Sequence, residues 1–188
     1  RFWVLGDAGT QGVYQRRVRD AFAPVHAQRR ADFWLMLGDN AYGTGTDAQY
    51  QAAVFDMYPD YLKTLPLWSC LGNHETYAGA DAGGKYAYEH IFNFPTAGEC
   101  GGVASGTERY YSWNYGRVHF ISLDSMTASR AVDGPMAQWL TADLEANVQP
   151  WVIACWHHPP YTKGSHNSDV EGDLVEIRGN ILPILESH

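Results

Sequence analysis

Several things are scarce in this chain, and each scarcity excludes something. No run of apolar residues approaches the ~18 that a membrane-spanning helix needs, which argues against a span. Positive charge is thin: 13 Lys and Arg stand against 21 Asp and Glu, for a net charge of −8. There is no basic block, so nucleic acid is not expected as a partner. Cysteine is limited to Cys70, Cys100 and Cys155. An odd count cannot form a fully paired disulfide framework, and Cys70 and Cys155 sit in apolar runs where buried, small hydrophobic roles are expected. Charged residues make up only 18% of the 188 residues and apolar ones 45%, the balance of a folded globular domain and not of a disordered segment. No internal repeat is visible. No initiator methionine or signal stretch stands before Arg1, and any targeting segment is expected to lie outside this sequence.

What is present alternates. "FWVLGD" (2–7), "FWLMLGD" (33–39) and "LWSCLGN" (67–73) read as short buried strands. Helical spacing separates the first two and ends near Pro24; a second helical stretch over 50–62 is interrupted at Pro59. This alternation predicts an α/β layered fold. Residues 75–107 are rich in Gly, Ala and Tyr and read as long loops with a short helix near 86–92. "RYYSWNYGRVHFISLDS" (109–125) reads as a hairpin turning at Asn114-Tyr115-Gly116. A helix follows Pro135, "WVIACWHH" (151–158) is another buried strand, and a helix over 174–187 closes the sequence.

The chemistry gathers at strand ends. Gly38-Asp39-Asn40, taken alone, is an ordinary polar turn. The same pattern recurs, however, at Gly6-Asp7 and Gly72-Asn73-His74, and a fourth strand ends in His157-His158. Ligands of open α/β sheets bind outside the carboxyl ends of the strands, so these residues are expected on one rim, with glycine allowing sharp turns before each ligand. An acidic chain is a poor bare receptor for phosphate, unless its carboxylates hold cations. Mixed oxygen and imidazole donors suit Zn, Mn or Fe. Their number exceeds the needs of one ion and points to a two-metal site, which suits phosphate ester hydrolysis.

The set "GDAG", "GDNAY", "GNHE" and "WVIACWHHPPY", in this order and spacing, resembles the calcineurin-like metallophosphoesterase superfamily and, within it, the purple acid phosphatase branch. The resemblance covers nearly the whole sequence. It implies a four-layer α/β/β/α sandwich of mixed sheets, forming a single catalytic domain over 1–188. It further implies that Asp7 and Tyr42 bind a first metal, that Asp39 bridges two, and that Asn73 and His157 bind the second. A metal-bound hydroxide would attack the phosphorus of a small phosphomonoester in line. His74 would stabilise the phosphate and protonate the leaving alcohol, with His166 as a second candidate acid. Glu75 would orient His74, and His158 is a lesser candidate for touching substrate. His26, His90 and His119 read as structural or surface residues.

Two departures from the family pattern matter. The Asp-x-His that opens the broader superfamily is here Asp7-Ala8-Gly9, and Tyr42 stands where the purple branch supplies its replacement ligand. A tyrosinate implies Fe(III) at the first site, with Fe, Zn or Mn at the second. The closing Gly-His-x-His is absent, so the catalytic domain is expected to be truncated at its C-terminus, with an apolar strand and that motif following in the complete protein. Export from the cytoplasm is expected from the resemblance alone. The alternatives are a phosphodiesterase or nucleotide hydrolase on the same scaffold, and a non-catalytic binding protein that keeps the fold.

Overall fold

The structure is a computed structural model and describes residues 1–188. It divides into two compact units, 1–92 and 93–188, each with its own three-stranded sheet.

In the first unit the order is β1 (Phe2–Leu5), α1 (Val13–Gln28), β2 (Phe33–Met36), α2 (Asp47–Tyr50) with a π turn over Gln51–Phe55, α3 (Pro59–Leu62) and β3 (Leu67–Ser69). The strands are parallel in the order β1-β2-β3, in register Phe2 to Phe33 and Trp34 to Leu67. All four residues of the central strand β2 are buried, as its unbroken apolar run requires. β1 differs from expectation, because Phe2 and Val4 are exposed. It pairs with β2 alone, so it is an edge strand, and only one of its faces is well covered. On that face Trp3 stacks on Phe22 of α1, with centroids 3.9 Å apart.

Helix α1 continues past Pro24 to Gln28. A proline inside a helix removes one main-chain bond and crowds the preceding turn. Here packing on either side of it offsets that cost. Phe22 and His26 both meet Tyr61, at 5.5 and 5.7 Å.

The loop region carries a 3-10 turn at His74–Thr76 and helix α4 (Ala87–Ile91), in keeping with its Gly-rich, weakly periodic sequence. Tyr88 of α4 is fully buried and donates its hydroxyl to the Ser69 carbonyl at 2.8 Å.

The second unit contains β4 (Tyr111–Tyr115), β5 (Val118–Ser122), α5 (Pro135–Ala146), β6 (Trp151–Cys155), α6 (Gly172–Glu176), a π turn over Ile177–Ile181 and α7 (Leu182–Glu186). β4 and β5 pair antiparallel, and β5 and β6 parallel. The hairpin turns later than its sequence suggests. Tyr115 pairs with Val118, so Asn114 and Tyr115 remain in the strand and the loop is Gly116-Arg117. A two-residue loop fits the twist of the flanking strands. β6 is the other correction: Trp151 is 68% exposed and Val152 40%, since it too lies at a sheet edge. Cys155 is only partly exposed by surface but sits in an apolar setting that pushes its thiol up to about 12. Met136, Leu140 and Leu144 of α5 pack with Ile121, Leu123, Ile177 and Ile181 into the unit's core.

A buried polar network ties this sheet to α5. Asp143 Oδ1 accepts the Val103 N–H and the Ser112 hydroxyl, both at 2.8 Å, and its Oδ2 lies 2.7 Å from His119 Nε2. His119 Nδ1 lies 2.8 Å from Asn114 Oδ1. These partners explain how an Asp and a His can both be almost fully buried. Asp143→Ala should leave several buried donors unpaired and lower unfolding stability by about 3–5 kcal/mol, read from urea denaturation. A loss below ~1 kcal/mol would show that the network is incidental.

Candidate metal centre

The first unit builds its site where three parallel strands end. Beyond Leu5 and Met36 the ladder continues through Leu37 N–H to Leu5 O (2.8 Å), Asp7 N–H to Gly38 O (3.3 Å) and Gly9 N–H to Asp39 O (3.0 Å). The two aspartate loops are therefore extensions of the sheet and inherit its rigidity. Asp7 and Asp39 both adopt φ 52°. For residues other than glycine this left-handed conformation costs about 1–3 kcal/mol, and it concentrates at sites where the surroundings over-determine it. The sharp turn was expected of the preceding glycines. Only Gly38 does this, with φ 86°; at Asp7 and Asp39 the ligand residue itself takes the strained conformation.

Their carboxylates converge. One oxygen of Asp7 and one of Asp39 lie within 4.8 Å of each other. The Tyr42 hydroxyl donates to Asp7 Oδ1 at 3.2 Å, and the Tyr42 main chain is anchored by its N–H to Gly9 O (3.0 Å) and by Gln11 Nε2 to its carbonyl (2.6 Å). Burial and the charges of Asp39 and Asp7 push the Tyr42 hydroxyl well above the ordinary tyrosine value. Two carboxylates and a phenol crowded together repel once ionised, and a cation relieves that repulsion. The donor set therefore fits a hard metal ion, and the Tyr42 phenol would release its proton on becoming a tyrosinate ligand.

Glu75 holds this arrangement. It is buried, and its carboxylate accepts four main-chain N–H groups: Gly72 (2.7 Å) and Asp39 (2.9 Å) on Oε2, Asn40 (2.8 Å) and Ala41 (3.1 Å) on Oε1. In return the His74 N–H donates to Asp39 Oδ1 at 3.0 Å. The loops after β2 and β3 are thus laced together in both directions. The close approach explains Gly72, where a Cβ would lie 2.1 Å from Asp39 N and 2.3 Å from Asp39 Oδ1. Burial is the largest influence on the Glu75 carboxyl, and with Asp39's charge it raises its pKa despite the four N–H donors.

This revises one expectation. Glu75 does not orient the His74 ring; it organises the main chain that carries Asp39. The His74 ring is fixed otherwise. Its Nδ1 lies 2.7 Å from Gly43 O. A carbonyl can only accept, so Nδ1 carries the proton and Nε2 is the nitrogen left for other work. Nε2 lies 3.8 Å from Asp39 Oδ2, and the ring packs 4.1 Å from that of Tyr42. Asn73 follows β3, and its Nδ2 donates to the Tyr77 hydroxyl at 2.6 Å.

The remaining expected residues, His157, His158 and His166, belong to the second unit. His157 lies two residues beyond the end of β6 and is partly exposed. His158 is tied down: its N–H donates to Ser125 Oγ at 3.1 Å, and its Nδ1 lies 2.9 Å from Ser125 O. Burial lowers its pKa, which favours a neutral, structural imidazole. His166 is exposed and pairs with Glu171 at 2.7 Å. Asp124 accepts the N–H groups of Met126 and Thr127, both at 2.8 Å, a turn-forming role. Sequence reasoning did not reach Gln11, Tyr77 or Ser125. None carries a spacing signal, because each acts through a main-chain or single side-chain contact that only the fold creates.

A family model described as calcineurin-like phosphoesterase matches residues 1–182. The chain belongs to the calcineurin-like phosphoesterase family. Within it, the relatives of this chain point to the purple acid phosphatase-like branch. It is 31% identical to purple acid phosphatase 15 of Arabidopsis thaliana, over 70% of this chain and 28% of that protein. It is 29% identical to probable inactive purple acid phosphatase 9 of Arabidopsis thaliana, over 81% of this chain and 28% of that protein. It is 25% identical to tartrate-resistant acid phosphatase type 5 of Sus scrofa, over 84% and 50%. The chain thus spans between 28% and 50% of the length of these curated relatives. Its fold also matches a solved structure titled "GAP50 the anchor in the inner membrane complex of Plasmodium", with a TM-score of 0.64 and 15% identity, over 99% of this chain and 62% of that one. The mixed α/β architecture is that of a metallophosphoesterase. No helix is long and apolar enough to cross a membrane.

Glu75→Gln tests the main-chain clamp. Glutamine has one acceptor oxygen, and its NH2 would face N–H donors. Stability should fall by about 2–3 kcal/mol, and amide hydrogen exchange at Asn40, Ala41 and Gly72 should quicken. Unchanged protection at those amides would remove Glu75 from this role.

Proposed function

We propose that this chain belongs to the catalytic domain of a two-metal phosphomonoesterase of the purple acid phosphatase type, with both units parts of that domain. The observation that carries the reading is the Asp7, Asp39 and Tyr42 oxygen cluster, built on two aspartates in a strained main-chain conformation. In the first unit Asp7 and Tyr42 would hold one ion, Fe(III), Asp39 would bridge, and Asn73 would hold the second ion, which is Fe, Zn or Mn. In the second unit His157 would be a donor to that second ion. Bound cations supply Lewis acidity, offsetting charge on the phosphoryl group and making water acidic enough to attack it.

The chain's own residues do the rest. Asp39 takes its position from the Glu75 clamp and the His74 N–H. His74, with Nδ1–H donated to Gly43 O, would present Nε2 to the phosphate and, when protonated there, pass that proton to the leaving alcohol. His166, paired with Glu171, is the second candidate for the same proton transfer. Tyr42 covers one side of the His74 ring and limits the ways it can turn. The substrate class is a small phosphate ester, with no nucleic acid partner, and the enzyme is read as exported.

A binding-protein reading has one point in its favour: one relative is named a probable inactive purple acid phosphatase. The presence of Asp7, Asp39, Tyr42, Asn73, His74 and His157 together supports the enzyme instead. Metal analysis of the protein that carries this chain, joined to assays with phosphomonoesters and phosphodiesters, separates the readings. Bound iron and monoester turnover are expected. No metal and no turnover would leave the binding protein, and diester turnover alone would favour a phosphodiesterase. The oxidised protein should also show a visible charge-transfer band that Tyr42→Phe abolishes; an iron-free, colourless, fully active protein would overturn the ferric assignment only.

A further inference from the structure

Tyr77 has no role in the assignments above, yet it touches two of the residues they name. Its hydroxyl accepts the Asn73 Nδ2–H at 2.6 Å. Its ring centroid lies 4.9 Å from that of His74, with the planes inclined at 56°. Even so, the residue is 59% exposed. Its main chain closes the 3-10 turn His74–Thr76, which Asn73 opens, so the three side chains ride on one short rigid segment.

These contacts have a chemical consequence. A carboxamide has a donor side and an acceptor side, and fixing one fixes the other. A cation accepts only the oxygen. With Nδ2 engaged by Tyr77, rotation of the amide that would offer nitrogen in place of oxygen costs a hydrogen bond. The Tyr77 ring is held by its hydroxyl at one end and by the His74 contact along its side. What remains is a flat apolar surface, open to solvent, beside the imidazole assigned to the phosphate. A ring fixed in this way can receive an aromatic group in offset or edge contact at little further ordering cost.

We propose that Tyr77 is a positioning and specificity-determining residue: its hydroxyl sets the Asn73 amide to offer oxygen to a cation, and its ring favours phosphate monoesters with aromatic leaving groups. This rests on the phosphatase reading. The two halves are separable by substitution, because Tyr77→Phe removes the hydroxyl and keeps the ring, whereas Tyr77→Ala removes both. The exposed position allows either variant to fold, which far-UV circular dichroism checks.

The test uses the protein that carries this chain, with Zn2+ titrated alone by calorimetry. It adds kcat and KM for phenyl phosphate and glycerol 3-phosphate. Loss of an outer partner of a metal ligand typically weakens metal binding about 10- to 100-fold, and that loss of Zn2+ affinity is expected in Tyr77→Phe with the aryl-to-alkyl ratio of kcat/KM kept. Tyr77→Ala should also lower that ratio by roughly 2- to 10-fold. Unchanged Zn2+ affinity in Tyr77→Phe overturns the positioning role, and an unchanged ratio in Tyr77→Ala overturns the specificity role. A parent protein that binds no Zn2+ and hydrolyses neither ester fails the phosphatase reading and carries this proposal with it. An active parent with two silent variants fails the Tyr77 proposal alone.

Discussion

One buried carboxylate organises the first unit's site. Glu75 accepts main-chain N–H groups from residues on either side of a gap between two strand ends, drawing the loop after β2 against the loop after β3. An isolated buried carboxylate is costly, and convergent N–H donors reduce that cost. The arrangement is self-consistent only as a whole. Gly72 must lack a side chain for the loops to meet, and Asp39 must adopt its left-handed conformation for its N–H to face Glu75 while its own carboxylate faces the His74 N–H.

The site thus layers three kinds of interaction. The sheet ladder sets where the chain leaves the strands. The Glu75 clamp sets how the two loops lie against each other. Only then do short-range contacts place the reactive groups, such as Gly43 O on His74 and Tyr77 on Asn73. Imidazole, phenol and clustered carboxylates stand together because the backbone brings them there.

Much of this was legible in the sequence, for identifiable reasons. The strands β2 and β3 and helix α5 carry strong apolar patterns, and the Gly-Asp and Gly-Asn-His ends mark where strands stop. The cluster of Asp7, Asp39 and Tyr42 follows from those ends once the strands are parallel and adjacent. The misses share a cause. β1 and β6 are as apolar as the central strand, but an apolar run does not state how many neighbours a strand has, and both prove to be edges. The hairpin slipped because Asn114 looks like a turn residue, while its side chain in fact serves His119 and the Gly101 carbonyl. Glu75 was assigned to its sequence neighbour when three of its four partners lie more than thirty positions away, in contacts that no spacing rule encodes.

Because the clamp reads the main chain, it is blind to most side-chain chemistry in the loop it grips. At Asn40 and Ala41 what Glu75 requires is an amide hydrogen, a feature that nineteen of the twenty amino acids supply. Tolerance there is governed by the space available, and proline is the residue that the bond itself forbids. A proline scan across 39–41 and alanine substitutions at 39 and 40 would therefore draw different maps of the same loop, the first tracing its scaffold and the second tracing its chemistry at Asp39.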